Sequence, residues 1–126
     1  MEASRNKDIR IKLKMYAELP NGGRAPFMLP SFAIMRDGYK RFREYIPEIM
    51  PMAQQMLLQD ETRDMFPYVR EVEISMFTEN GYNKVYTVHV APDNKKKELV
   101  FIELEDKSRG VIIETTRIDP VLVVEV

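Results

Sequence analysis

Apolar and basic residues alternate near the start of the chain. From residue 9 to residue 15 the sequence reads Ile-Arg-Ile-Lys-Leu-Lys-Met. A period of two is typical of a half-buried strand, so this segment predicts a strand with one core face and one cationic face. The Pro-Asn-Gly-Gly stretch at 20–23 predicts a chain reversal. Residues 24–29 can then pair back as an edge strand, whose length Pro26 and Pro30 limit.

From Ser31 the apolar spacing changes to three and four residues, which predicts a core-facing helix with Ser31 as its N-cap. Pro47 and Pro51 predict a bend, followed by a second helical piece over about 52–59. The apolar stripe of the first piece consists of Phe32, Met35, Tyr39, Phe42 and Ile46.

After Pro67 the chain has the pattern of successive strands joined by short polar loops, which favours an antiparallel meander. The predicted strands cover residues 69–77, 82–90, 99–104, 111–116 and 121–124.

The register of the first hairpin in this meander follows from its apolar faces. A three-residue loop from Glu79 to Gly81, with the glycine in the left-handed region, sets Ile74 opposite Tyr86. A two-residue turn would mix polar side chains into the apolar face. We therefore predict the longer loop, which sets His89 opposite Glu71 on the polar face.

These elements predict one α+β domain over residues 1–126. It consists of an antiparallel sheet of about five to six strands, mainly a C-terminal meander, packed against one long bent helix or two short helices. In element order this resembles cystatin-like and NTF2-like folds, in which a curved sheet wraps a helix. The resemblance covers element order alone, and element order does not imply function.

The residue types limit the possible chemistry. The chain contains no cysteine, one histidine and no glycine spacing that forms a phosphate loop, which argues against thiolate, paired-histidine zinc and P-loop sites. His89 with Glu71, and the pairs Glu71/Glu73 and Glu103/Glu105, could serve acid–base chemistry or hold a cation. Such alternation is also typical of a solvated sheet face. We expect no catalytic residue, no cofactor and no metal site.

Charge is unevenly distributed along the sequence. Residues 1–43 hold ten Lys/Arg against four Asp/Glu, and residues 44–126 hold nine against sixteen. This asymmetry indicates an anionic partner for the basic half, or two copies that dock through opposite charges, unless the charges simply intermix on the surface. The candidate nucleic-acid or anion contacts, on the first strand and the first helix, are Arg10, Lys12, Lys14, Arg36, Lys40 and Arg43.

A second set of candidates concerns self-association. The run at 121–124 has no polar position, so both of its faces should be covered, either inside the sheet or by another chain. Methionines crowd the second helical piece and suit a surface that repacks against a partner. The candidate interface residues are Val121, Leu122, Val123, Val124, Met52 and Met56.

Three hypotheses follow. The first is a non-enzymatic protein-binding or assembly module, regulatory in role, that forms a homodimer or larger oligomer through its sheet edge or C-terminal strand. The second is a nucleic-acid-associated protein that uses the six basic residues named above. The third is a small hydrolase or isomerase with a cavity between helix and sheet, and with His89 or a paired glutamate as base. The sequence lacks an apolar run of about 18 residues, so we expect a cytoplasmic protein without a membrane partner, with the nucleus or a virion interior also open.

Overall fold

A computed structural model of the chain describes residues 8–36, 38, 40–79, 81 and 83–107, and the backbone of residues 111–114. Seven strands in this part of the chain form one antiparallel sheet, and the helical elements are one α-helix and two 3₁₀ segments. The α+β class and the antiparallel sheet are confirmed. The elements are β1 (Asp8–Glu18), β2 (Arg24–Met28), β3 (Phe32–Met35), a first 3₁₀ segment (Phe42–Tyr45), α1 (Ile46–Leu57), a second 3₁₀ segment (Arg63–Tyr68), β4 (Val69–Phe77), β5 (Asn83–Asp93), β6 (Glu98–Asp106) and β7 (Val111–Glu114).

The strand order across the sheet is β2-β1-β4-β5-β6-β7, and β3 also pairs with β1. Strands β2 and β3 therefore share one edge, while β1 lies inside the sheet next to β4. The meander from β4 to β7 has the sequential antiparallel pairing that was predicted. The reversal between β1 and β2 is also confirmed, with Gly22 at φ +88° and its amide donating to the Leu19 carbonyl.

The helix predicted from residue 31 is wrong over its first part. Residues 32–35 form β3, in which Ile34 lies opposite Ile9 of β1. Gly38 has φ +46° and Arg41 is extended at φ −79°, ψ 154°, so a helix cannot pass through either position. The apolar spacing of this stretch fits a strand as well as a helix, and pairing with β1 is a long-range contact that local spacing does not reveal.

The division into two helical pieces at Pro51 is also wrong, because α1 is one helix over 46–57. Pro47 lies in its first turn, where the missing amide costs nothing. Pro51 lies inside the helix on the exposed side, where water can reach the carbonyl that lost its partner. The predicted core residues Phe42 and Ile46 are buried, in the first 3₁₀ segment and in α1.

The core lies between α1 and one face of the sheet. The Thr62 hydroxyl donates to the Leu57 carbonyl at 2.8 Å and so caps the last turn of α1. The Leu99 amide donates to Gln54 Oε1 at 2.7 Å and joins α1 to the start of β6. The fully buried side chains that α1 contributes are Ile46, Ile49, Met50, Ala53 and Leu57.

The predicted β4–β5 register is confirmed. Ile74 lies opposite Tyr86, and Glu71 lies opposite His89. Gly81 has φ +89°, and its amide donates to the Thr78 carbonyl at 3.1 Å. This register places His89 on the face of the sheet away from α1, which we call the outer face.

A β-bulge in β4 changes which side chains reach the outer face. Tyr16 of β1 lies opposite Glu71, but Ala17 lies opposite Val69, so Arg70 is an extra residue without a cross-strand partner. Val69 and Val72 are both buried although they are three residues apart. The bulge thus turns Arg70 and Glu71 outward together.

A second bulge lies in β6. His89 is opposite Glu103 and Val90 is opposite Phe101, which leaves Ile102 as the extra residue. Phe101 and Leu104 are both in the core, again three residues apart. If the same sequence formed a regular strand without the bulge, Glu103 would have the parity of the buried Phe101 and would point into the core.

The predicted resemblance to cystatin-like and NTF2-like folds is not confirmed, and the strand β3 before the helix was not part of the predicted order. The predicted strand at 121–124 lies outside the residues that the structure describes. Within those residues, no helix has the length and apolar character needed to cross a membrane.

Candidate functional site

The outer face of the sheet consists of side chains that point away from α1. At positions 10 to 16 of β1 these are basic or aromatic, and β4 and β6 contribute Glu71, Glu73, Glu103 and Glu105. Lateral neighbours follow from the strand registers: Lys14, Glu73, Thr87 and Glu105 form one row across the sheet, and Tyr16, Glu71, His89 and Glu103 form the next.

The basic side chains of β1 occupy the outer face as the alternation predicted. Arg10 and Lys12 are exposed, and Lys14 is half-buried. The Lys12 ammonium lies 5.4 Å from the Phe77 ring centre, and the Lys14 ammonium lies 5.5 Å from that of Tyr16. Within the described residues no ion pair joins these three cations to a carboxylate, although Glu73 lies opposite Lys14 on β4.

The other three predicted basic contacts do not join this row. Arg36 follows β3, and its guanidinium lies 5.3 Å from the Phe42 ring centre. Lys40 forms an ion pair with Glu48 of α1 and lies over the Tyr45 ring. Arg43 lies in the first 3₁₀ segment, not on a helical stripe with the other two. Arg36 and Lys40 contact the helical layer, on the opposite side of the sheet from Arg10, Lys12 and Lys14.

Half-buried carboxylates surround His89 on the outer face. His89 Nε2 lies 3.3 Å from Glu105 Oε1, and His89 Nδ1 lies 3.9 Å from Glu71 Oε2. Both ring nitrogens therefore face carboxylates. Among the described residues, the ring has no hydrogen bond to a serine, threonine or lysine side chain. Among the same residues, no group of three or more His, Asp or Glu side chains is placed to hold a metal ion.

A cleft of about 390 Å³ lies at the end of the outer face where β1 turns into β2. Arg24 Nη2 lies 2.6 Å from Glu71 Oε1, and its guanidinium lies 4.1 Å from the Tyr16 ring centre. Arg70 Nε lies 3.5 Å from Glu18 Oε1. The cleft is lined by Tyr16, Ala17, Glu18, Gly22, Arg24, Arg70 and Glu71.

The β2 edge has few groups that could pair with another strand. The Leu29 amide donates inward to the Leu13 carbonyl at 3.0 Å, so amides at even-numbered positions of this segment point outward. Two of those positions are Pro26 and Pro30, which have no amide hydrogen. Prolines at outward positions protect an edge from strand addition.

The methionine candidates on α1 do not form one exposed patch. Met52 is 37% exposed, whereas Met56 packs against the core. Among the described residues, the most exposed large apolar side chains are instead Met35 at 69% and Met28 at 57%. The prediction that Met35 faces the core is therefore wrong, and Met28 was not among the predicted interface residues. The other interface candidates, Val121, Leu122, Val123 and Val124, lie outside the described residues.

Comparison with known proteins gives no match: no family model, no curated protein and no solved structure is significantly similar to this chain. We therefore argue function from the chemistry of the outer face and its cleft.

Proposed function

We propose that this chain is a non-enzymatic assembly module that self-associates by packing the outer faces of two copies together. The proposal depends mainly on one observation, the separation of positive and negative side chains across that face. The cations Arg10, Lys12 and Lys14 lie along β1 at one side, and the carboxylates Glu103 and Glu105 lie on β6 at the other. Sheets that pack face to face lie about 10 Å apart, a distance that long charged side chains can span.

A two-fold axis parallel to the strands, between β4 and β5, reverses the lateral strand order of one copy relative to the other. Strand β1 of each copy then lies over β6 of its partner. Lys14 and Glu105 occupy the same lateral row, so each Lys14 faces the Glu105 of the second copy. Half-buried Phe77 and Val85 add apolar surface near the middle of this contact.

The face is a better interface than the β2 edge, since Pro26 and Pro30 remove two of the outward amides that strand addition would use. Association through the predicted strand at 121–124 stays a prediction outside the described residues.

Charge reversal tests this proposal. The Lys12→Glu/Lys14→Glu variant and the Glu103→Lys/Glu105→Lys variant should each be monomeric in sedimentation velocity, because like charges then face each other at positions 14 and 105. An equimolar mixture of the two variants should regain the dimer mass, since the charges are again complementary. Raising the salt from about 50 to about 500 mM should weaken the wild-type dimer, because surface charges are screened.

The matched control is Lys95→Glu/Lys96→Glu, which reverses two exposed lysines in the β5–β6 turn. This variant should dimerise like the wild type. A wild-type chain that stays monomeric at low salt and high concentration, or reversed variants that still dimerise alone, would refute assembly through the outer face.

A second candidate function is nucleic-acid binding by β1. It is favoured by three cations in line on one strand, none of which forms an ion pair with a carboxylate of the described region. Adjacent outward side chains on a strand are about 7 Å apart, and such a row can follow a phosphate backbone.

Fluorescence anisotropy with a single-stranded oligonucleotide tests this second candidate. Three phosphate contacts predict a slope of about −2 for the logarithm of affinity against the logarithm of salt concentration. The Lys12→Glu/Lys14→Glu variant should lose binding, whereas Glu103→Lys/Glu105→Lys should not. Absence of binding at low salt would remove this candidate and leave the assembly proposal untouched.

The geometry does not favour the hydrolase or isomerase hypothesis. A base that works between helix and sheet must point toward α1, but His89 and its neighbouring glutamates point to the outer face. That hypothesis stays a prediction.

A further inference from the structure

The cleft between the β1–β2 turn and β4 is a second feature of the outer face, separate from the residues used for assembly. It brings together two guanidinium groups from distant parts of the sequence, Arg24 of β2 and Arg70 of β4. Arg70 reaches the cleft only because the bulge in β4 gives it no cross-strand partner and turns it outward beside Glu71. Bulges commonly redirect a side chain in this way at functional sites.

Arg70 is held in place by the backbone. Its Nη1 donates to the carbonyls of Pro67 at 3.1 Å and Val69 at 3.0 Å, and its Nε faces Glu18. In the described part of the chain its Nη2 has no partner, although the guanidinium is 44% exposed at the cleft. The side chain is therefore preorganised with donors left for a ligand.

Arg24 is fixed in a different manner. One amino group donates to Glu71, and the guanidinium carbon lies over the Tyr16 ring. Within the described residues, Nε and Nη1 of Arg24 have no acceptor. A guanidinium fixed by stacking and by one carboxylate loses little conformational freedom when it binds a further acceptor.

We propose that this cleft binds an oxyanion, the phosphate or carboxylate group of a small ligand, between the free donors of Arg24 and Arg70. Guanidinium forks match the oxygen spacing of both groups. Glu18 and Glu71 keep their ion pairs and orient the two arginines, while the ligand takes the remaining donors. The volume of about 390 Å³ exceeds that of a bare anion, so the cleft has room for a ligand body beside Tyr16.

Titration of ¹⁵N-labelled protein tests the site, with inorganic phosphate in one arm and acetate in another, against chloride at equal ionic strength. Amide shifts at Gly22, Arg24 and Arg70 should move and saturate with phosphate, acetate or both. The tighter arm identifies the group that the site prefers. Arg24→Gln should weaken binding at least tenfold, as should Arg70→Gln.

Two controls make the result decisive. Lys95→Gln removes an exposed cation in the β5–β6 turn and should leave binding unchanged. Arg24→Gln is the variant to rely on if Arg70→Gln unfolds, because Arg24 contacts only side chains. Shifts that do not saturate, that match those with chloride, or that persist in Arg24→Gln would overturn the proposal. The monomeric Glu103→Lys/Glu105→Lys variant keeps every cleft residue and the side chains that contact them, so its titration separates failure of this site from failure of the assembly proposal.

Discussion

At the scale of single residues, Asp106 is the most deeply buried charged group among the described residues. Its side chain is 5% exposed on the core side of β6, and Lys84 Nζ lies 3.3 Å from Asp106 Oδ2. The Lys84 ammonium also lies 6.0 Å from the Tyr86 ring centre. A buried charge is tolerated only with such a partner. Removal of one partner destabilises the fold by more than the intact pair stabilises it, because the other charge is left buried and unpaired.

Asp106→Ala should therefore lower the free energy of unfolding by about 3 kcal/mol, because it leaves the Lys84 ammonium without its carboxylate. Urea denaturation monitored by circular dichroism gives the value. The double variant Lys84→Met/Asp106→Leu removes both charges and should lose less than the single variant. A loss below about 0.5 kcal/mol, as expected for exposed Lys95→Ala, would show that the pair is solvated.

The Thr62 side chain caps the C-terminal end of α1 through a hydrogen bond. Thr62→Val keeps the shape but removes the hydroxyl that donates to Leu57. We expect a loss of about 1 kcal/mol in the free energy of unfolding, since a helix carbonyl loses its hydrogen bond. Thr62→Ser keeps the hydroxyl and is the control. Equal stability of the Val and Ser variants would contradict a capping role.

At the scale of elements, prediction from sequence succeeded where the deciding contacts are local. The β4–β5 register followed from apolar alternation and one glycine, because the two strands adjoin in sequence. It failed for β3, because Ile34 finds its partner Ile9 across 25 residues of chain. The bulges left a readable signal, apolar residues three apart at Val69 and Val72 inside a strand, but that spacing is equally typical of a helix.

Pro51 gives a prediction at this scale. Pro51→Ala restores an amide that can donate to the carbonyl of residue 47 inside α1. The variant should be more stable than the wild type by about 1 kcal/mol or more, since proline in a helix interior costs about 3 kcal/mol relative to alanine. Thermal unfolding measures the change, with Pro47→Ala in the first turn as the control near zero. A destabilised Pro51→Ala variant would mean that the proline is needed for packing.

At the scale of the whole molecule, the sheet joins distant parts of the chain. Central strand β1 pairs on one side with β2 nearby in sequence and on the other side with β4, so that Lys12 lies opposite Ser75. The candidate site depends on the same long-range pairings. Sequence analysis identified Arg10, Lys12 and Lys14 as one outward row, but Arg24 and Arg70 meet only through the β1–β4 register, which no local pattern gives.

Refolding should therefore be slow for a chain of this length, on the millisecond to second scale. The β1–β4 pairing must close a long loop, and the entropy of that closure is lost before the stabilising contacts between the strands form. Stopped-flow circular dichroism suits the measurement, since the chain has no tryptophan. A refolding time in the microsecond range would show that the meander and α1 alone form the rate-limiting structure.

The bulge at Ile102 gives β6 two phases of alternation in one strand: Leu99 and Phe101 face the core before it, and Leu104 and Asp106 face the core after it. A strand built this way cannot change its length by one residue on either side of the bulge. A residue inserted within β6 on either side of the bulge would make the residues beyond it exchange faces, whereas removal of Ile102 itself would erase the bulge and leave Glu103, Leu104 and Glu105 on their present faces. Insertions in this part of the chain are thus restricted to the turn at 94–97, where an added residue leaves both phases intact.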